Sequence, residues 1–111
     1  MAYSIVISLQ NRQLSVLQEN KVIRTYPIAI GKKGTPSPPG TFTIVNKAPN
    51  PGGVYGAYWL GLSKPHYGIH GTNNPSSIGK EISGGCIRMY SKDIVELSKM
   101  VNVGTRVIIR P

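Results

Sequence analysis

Near the start of the chain the hydrophobic positions recur at every second residue, with Tyr3, Ile5, Ile7 and Leu9 on one side and Ser4, Val6 and Ser8 on the other. That period predicts a half-buried strand over residues 3–9. Asn11 and Arg12 read as a turn, residues 14–18 as the returning strand, Glu19 and Asn20 as a second turn, and residues 21–30, rich in β-branched side chains, as a third strand. Residues 31–40 break the pattern, because their prolines cannot donate ladder hydrogen bonds. Strand signal returns at once in residues 41–45, so this stretch is expected to be an ordered loop or an edge crossing, not a linker. After a turn at residues 50–53, residues 54–62 form a glycine-interrupted apolar segment, with Trp59 expected in the core and Tyr55 beside a pocket. Residues 91–101 read as the one good helix, with Ser91 as its N-cap, Asp93 and Glu96 toward its positive end, and Ile94, Leu97 and Val101 along one stripe. Gly104 ends it and residues 105–110 form a last strand. The predicted class is mainly β, a sandwich-like or barrel-like architecture with one short helix.

A length of 111 residues fits one domain over residues 1–111 with a single core. One cysteine excludes an internal disulfide framework, and one cysteine with two histidines is too thin for a structural zinc site, so neither metal nor cofactor is expected. Thirteen basic against four acidic residues give a net charge of +9, which suits an anionic partner such as an acidic polymer or a charged envelope surface. The basic residues are scattered, without interleaved aromatics, which argues against nucleic acid. Glu19, Glu81, Asp93 and Glu96 are the only carboxylates, so paired-carboxylate glycoside chemistry is disfavoured. No secretory signal is visible at the amino terminus, and no window reaches the apolar length of a membrane span.

The candidate chemistry lies in Ser83-Gly84-Gly85-Cys86-Ile87-Arg88-Met89, which contains the lone cysteine. A solitary cysteine is commonly a small buried hydrophobe. This one follows two glycines and precedes an arginine, a setting that gives a nucleophile room to meet a substrate and lets the amides of Gly85 and Cys86 converge on a developing oxyanion. Of the two histidines, His70 sits among small residues in His70-Gly71-Thr72 and is the better base, while His66 reads as a surface or supporting residue. A loop through residues 73–77 can bring His70 and Cys86 together.

These two segments together resemble the signature of the L,D-transpeptidase catalytic domain, the YkuD-like family. The likeness extends to residues 5–9, 34–42 and 61–63, and so to nearly the whole chain. It implies a YkuD-type β domain and a bacterial enzyme of the cell envelope that acts on peptidoglycan stem peptides. In that reading Cys86 attacks the carbonyl before a terminal D-alanine, His70 moves the proton, the carbonyl of Gly71 orients His70, and the Gly85 amide holds the oxyanion. Arg88, Ser83 and Tyr55 are the substrate-binding candidates. A hydrolase using the same residues, and a non-enzymatic basic wall-binding domain, are the alternatives. Placed beside a histidine and Arg88, the thiol is expected to ionise a unit or more below the ~8.5 of free cysteine.

Overall fold

The computed structural model describes residues 2–111. Nine strands and one helix follow one another as β1 (Tyr3–Ser8), β2 (Gln13–Gln18), β3 (Lys21–Gly31), β4 (Gly40–Pro49), β5 (Tyr58–Leu62), β6 (Gly68–His70), β7 (Glu81–Ser83), β8 (Ile87–Met89), α1 (Ser91–Met100) and β9 (Arg106–Arg110). Single 3₁₀ turns at Gly53–Tyr55 and Pro75–Ser77 interrupt the loops.

The opening alternation forms a strand as predicted, with Ile5 and Ile7 fully buried. It pairs antiparallel with β2 along its whole length, and Glu19 and Asn20, both at positive φ (52° and 66°), turn the chain into β3. β1 also pairs in parallel with β9, which pairs antiparallel with β4. From there the ladder runs β4, β5, β6, β8, β3, and β3 returns to β2. Eight strands therefore close into a barrel, which satisfies both edges of each. β7 lies outside the ring, paired in parallel with the last residues of β3.

Inward side chains from all around the ring, among them Leu14, Val16, Ile28, Ile44, Leu60, Ile69, Ile87, Val107 and Ile109, form one aliphatic cluster that Ile94, Leu97 and Val101 of the helical segment join. Lys47 on β4 donates to the carbonyls of Ser98 (2.7 Å) and Val101 (2.8 Å), satisfying acceptors that the end of α1 leaves open. The start of α1 differs from expectation. Tyr90, in an extended conformation, is the N-cap residue, and Ser91 already lies inside the first turn with its hydroxyl 3.5 Å from the Thr72 carbonyl. Trp59 also differs. Leu60 and Leu62 of β5 point inward, so Trp59 projects from the opposite face of the strand and is only half-buried.

Candidate active site

β6 and β8 lie side by side in parallel, with Ile69 opposite Ile87 and His70 opposite Arg88. Ile69 and Ile87 fill the core, so the period of two turns His70 and Arg88 to the other face of the sheet, and Cys86, one residue before β8, shares their parity. All three line a cavity of about 290 Å³ together with Val54, Tyr55, His66, Ser83 and Gly84. A second cavity of about 430 Å³, lined by Ala48, Pro51, Tyr55, Trp59 and His66, lies beside it and shares Tyr55 and His66. Tyr55, on the 3₁₀ turn, is exposed and forms a partition between the two.

The loop carrying the sulfur is held from within and from without. Ser83 Oγ accepts the Gly85 amide (3.1 Å) and donates to the Cys86 carbonyl (2.6 Å). Residues 32–39 brace it from the other side: Ser37 Oγ donates to the Gly85 carbonyl (2.8 Å), while Thr35 Oγ1 (2.9 Å) and the Lys32 amide (3.1 Å) both donate to the Ser83 carbonyl. Gly85 sits at φ +119°, and a Cβ there would come within 2.6 Å of the Tyr67 ring, so no other residue fits this position without displacement. Two expectations change here. The Gly85 amide, expected to face an oxyanion, is committed to Ser83, and the buried Ser83 hydroxyl, expected to contact substrate, is committed to the loop. The amides of Gly84 and Cys86 are the ones in this loop with no acceptor among the described residues.

His70 is buried, and its Nδ1 meets the carbonyl oxygen of Gly71. A carbonyl can only accept, so Nδ1 carries the proton and Nε2 is left with a lone pair. Burial pushes the imidazole below its ordinary 6.5, aided by the Arg88 charge and opposed by the Gly71 hydrogen bond. The Cys86 thiol donates to the carbonyl of His66 at 3.6 Å, His66 being in a left-handed conformation (φ 71°). Burial pushes this thiol above its ordinary 9.0, and the Gly68 backbone and Arg88 offset that only in part. The expected depression of the thiol is thus reversed, because losing water around the sulfur outweighs the nearby guanidinium. At neutral pH the resting pair is a neutral thiol and a neutral imidazole.

Arg88 is partly buried, and its Nε has no hydrogen-bond partner among the described residues. The ion pairs formed by those residues, Arg12 with Glu81 and Arg24 with Glu96, do not involve it. Trp59 was missed as a site residue. Its indole stacks on the His70 ring, with centroids 5.7 Å apart and planes 16° from parallel, and Tyr55 meets both rings edge-on. The alternation of Leu60 and Leu62 could have revealed it, since it assigns residues 59 and 61 to the outer face.

The closed β barrel thus brings a cysteine and a carbonyl-oriented histidine into one cavity. The sequence model of the YkuD family, the L,D-transpeptidase catalytic domain, matches residues 2–109, and the chain belongs to that family. It is similar to YkuD of Bacillus licheniformis, an L,D-transpeptidase by name, at 59% identity over 109 residues, 98% of this chain and 66% of the relative. The chain thus spans slightly less than two thirds of the length of that curated relative. Among solved structures, the catalytic domain of the E. faecium L,D-transpeptidase superposes with a TM-score of 0.84 at 27% identity, covering 96% of this chain and 95% of the other. The Ldtfm–avibactam carbamoyl enzyme gives a TM-score of 0.87 at 28% identity, covering 100% of this chain and 49% of the other.

Proposed function

We propose that the protein is an L,D-transpeptidase of the bacterial cell envelope that acts on peptidoglycan tetrapeptide stems through an acyl-enzyme on Cys86. The observation that carries this reading is the convergence of Cys86 and His70 on one cavity, with His70 Nδ1 tied to the Gly71 carbonyl.

The neutral resting pair makes His70 a general base and not half of a stored ion pair. Nε2 takes the thiol proton as sulfur bonds to the carbonyl carbon preceding the terminal D-alanine. The amides of Cys86 and Gly84 are the donors available to the oxygen that becomes negative. The C–N bond then breaks, the imidazolium returns its proton to the departing D-alanine amine, and a thioester remains. The side-chain amine of a second stem attacks that thioester, and its proton passes through Nε2 to the departing thiolate. The product is a 3-3 cross-link, and the enzyme returns to its starting protonation. Arg88, a cation without a carboxylate partner in the described chain, binds a stem carboxylate and favours the thiolate as it forms. Tyr55 forms the wall against which the stem lies. The remaining positive charge suits an anionic wall polymer as a further partner.

The test is incubation of the protein with purified muropeptides, the products being read by mass. Loss of D-alanine with a new dimer is the expected result. Loss without a dimer would turn the reading toward hydrolysis by the same residues, and intact stems under all conditions would overturn it.

A further inference from the structure

A hydrogen bond from Nδ1 to a carbonyl fixes one atom of an imidazole and leaves its plane free to tilt about that contact. In this site the plane is held by a second device. Trp59 and His70 are register partners across β5 and β6, so their side chains leave the same face as neighbours. The indole lies nearly parallel to the imidazole, and its Nε1 donates to Asn46 Oδ1 on β4 at 3.0 Å.

Two missing side chains make this arrangement possible. A Cβ on Gly68 would lie 2.5 Å from the indole Cη2, and one on Gly61 would lie 2.3 Å from Asn46 Oδ1. Gly61 and Gly68 are themselves register partners, so together they clear a trough across β5 and β6 in which the indole and the Asn46 carboxamide lie flat on the sheet. A tryptophan that merely covered apolar surface would need neither the trough nor the anchor.

We propose that Trp59, anchored by Asn46, is a positioning residue that fixes the plane of the His70 imidazole and gives its protonated form an aromatic face. The inference rests on the reading of His70 as the proton-transfer group. Tyr55 from the 3₁₀ turn meets the ring edge-on, the charge of Arg88 on β8 acts on it, and Cys86 and His66 line the same cavity. Burial and the Arg88 charge disfavour the imidazolium, and the indole face joins the Gly71 hydrogen bond in favouring it.

Asn46→Ala, Trp59→Phe, their double variant and Trp59→Leu separate this role from simple covering. Asn46 is exposed, so its replacement leaves the core untouched. Asn46→Ala and Trp59→Phe each remove the same hydrogen bond, and each is expected to lower kcat by roughly three- to tenfold with KM nearly unchanged. The double variant should be no worse than either single one, because one bond can be lost only once. Trp59→Leu removes the aromatic face as well and should lower kcat further. By NMR, the His70 titration midpoint should fall furthest in Trp59→Leu, whereas a rise there, the result expected if the indole only keeps water from the ring, would overturn the inference; the measurement needs no turnover and therefore stands even if the wild type proves inactive on muropeptides. An unchanged midpoint in both Asn46→Ala and Trp59→Leu would overturn the inference, as would additive effects in the double variant. Should Trp59→Leu fail to fold, the midpoint in Asn46→Ala decides.

Discussion

Two arcs of the same barrel differ in what their outer faces carry. Along β2, β1 and β9 the strands are five or six residues long, β1 is paired on both sides through most of its length, and Ile5, Ile7, Leu14, Val16, Val107 and Ile109 are at most 3% exposed. Along β5, β6 and β8 the inner face is just as aliphatic, with Leu60, Ile69, Ile87 and Met89 buried, yet β6 and β8 have only three residues each. The outer face of this second arc holds Trp59, His70 and Arg88, interspersed with Gly61 and Gly68. The inner faces thus share one task and the outer faces do not. Short strands let the chain leave the sheet at Gly71 and re-enter it at Ile87, so His70 closes β6 while Cys86 stands just before β8, one strand over and beside Gly68.

The division can be broken from either side. Cys86→Ala is expected to abolish D-alanine release, the largest effect, while the melting temperature stays near that of the wild type, because a small side chain is exchanged at a partly exposed loop position. A large drop in melting temperature would show that the thiol is structural. Leu14→Ala, in the other arc, should cost about 2–5 kcal/mol in urea unfolding and leave His70 titrating where it does in the wild type. A shifted His70 midpoint there would show that the arcs are not separable.

The smallest effects concern protons. Iodoacetamide labelling of Cys86 should rise with pH through a midpoint above the ordinary 9.0, and Arg88→Met should move it higher still; a midpoint clearly below the ~8.5 of free cysteine would restore the stored ion pair. For His70 the folded value lies below the unfolded 6.5, so the unfolded chain binds more protons in that window. Stability is therefore complete above 6.5 and lost as pH falls through the folded value, and His70→Gln should flatten that slope.

The first strand and the helix were legible because their periods run for six residues or more, long enough to separate inside from outside, and the third strand through its β-branched side chains. β6 and β8 were not, since three residues carry no period, and the placement of β9 between β1 and β4 is a long-range pairing that no local pattern encodes. Cys86 and His70 stood out through their glycine settings. Trp59 was read as core because an aromatic residue in an apolar run suggests burial. The direction of the thiol shift was misread because adjacency to Arg88 is visible in sequence, whereas the loss of water around the sulfur depends on the cavity that residues from four segments build. Ser91 failed as a cap because its neighbour Tyr90 takes the extended conformation that the cap position requires.

The proton resting between Cys86 and the His66 carbonyl also bears on chemical endurance. Peroxides attack thiolates far faster than thiols, and a sulfenic acid formed at Cys86 would find no second thiol in a chain with one cysteine, so oxidation would run on to irreversible acids. A sulfur ionised at rest would be spent by its surroundings between turnovers. On the proposed reading of Cys86 as the nucleophile, keeping it protonated until a substrate arrives would confine its reactivity to the moment of use and let a lone cysteine persist in this chain.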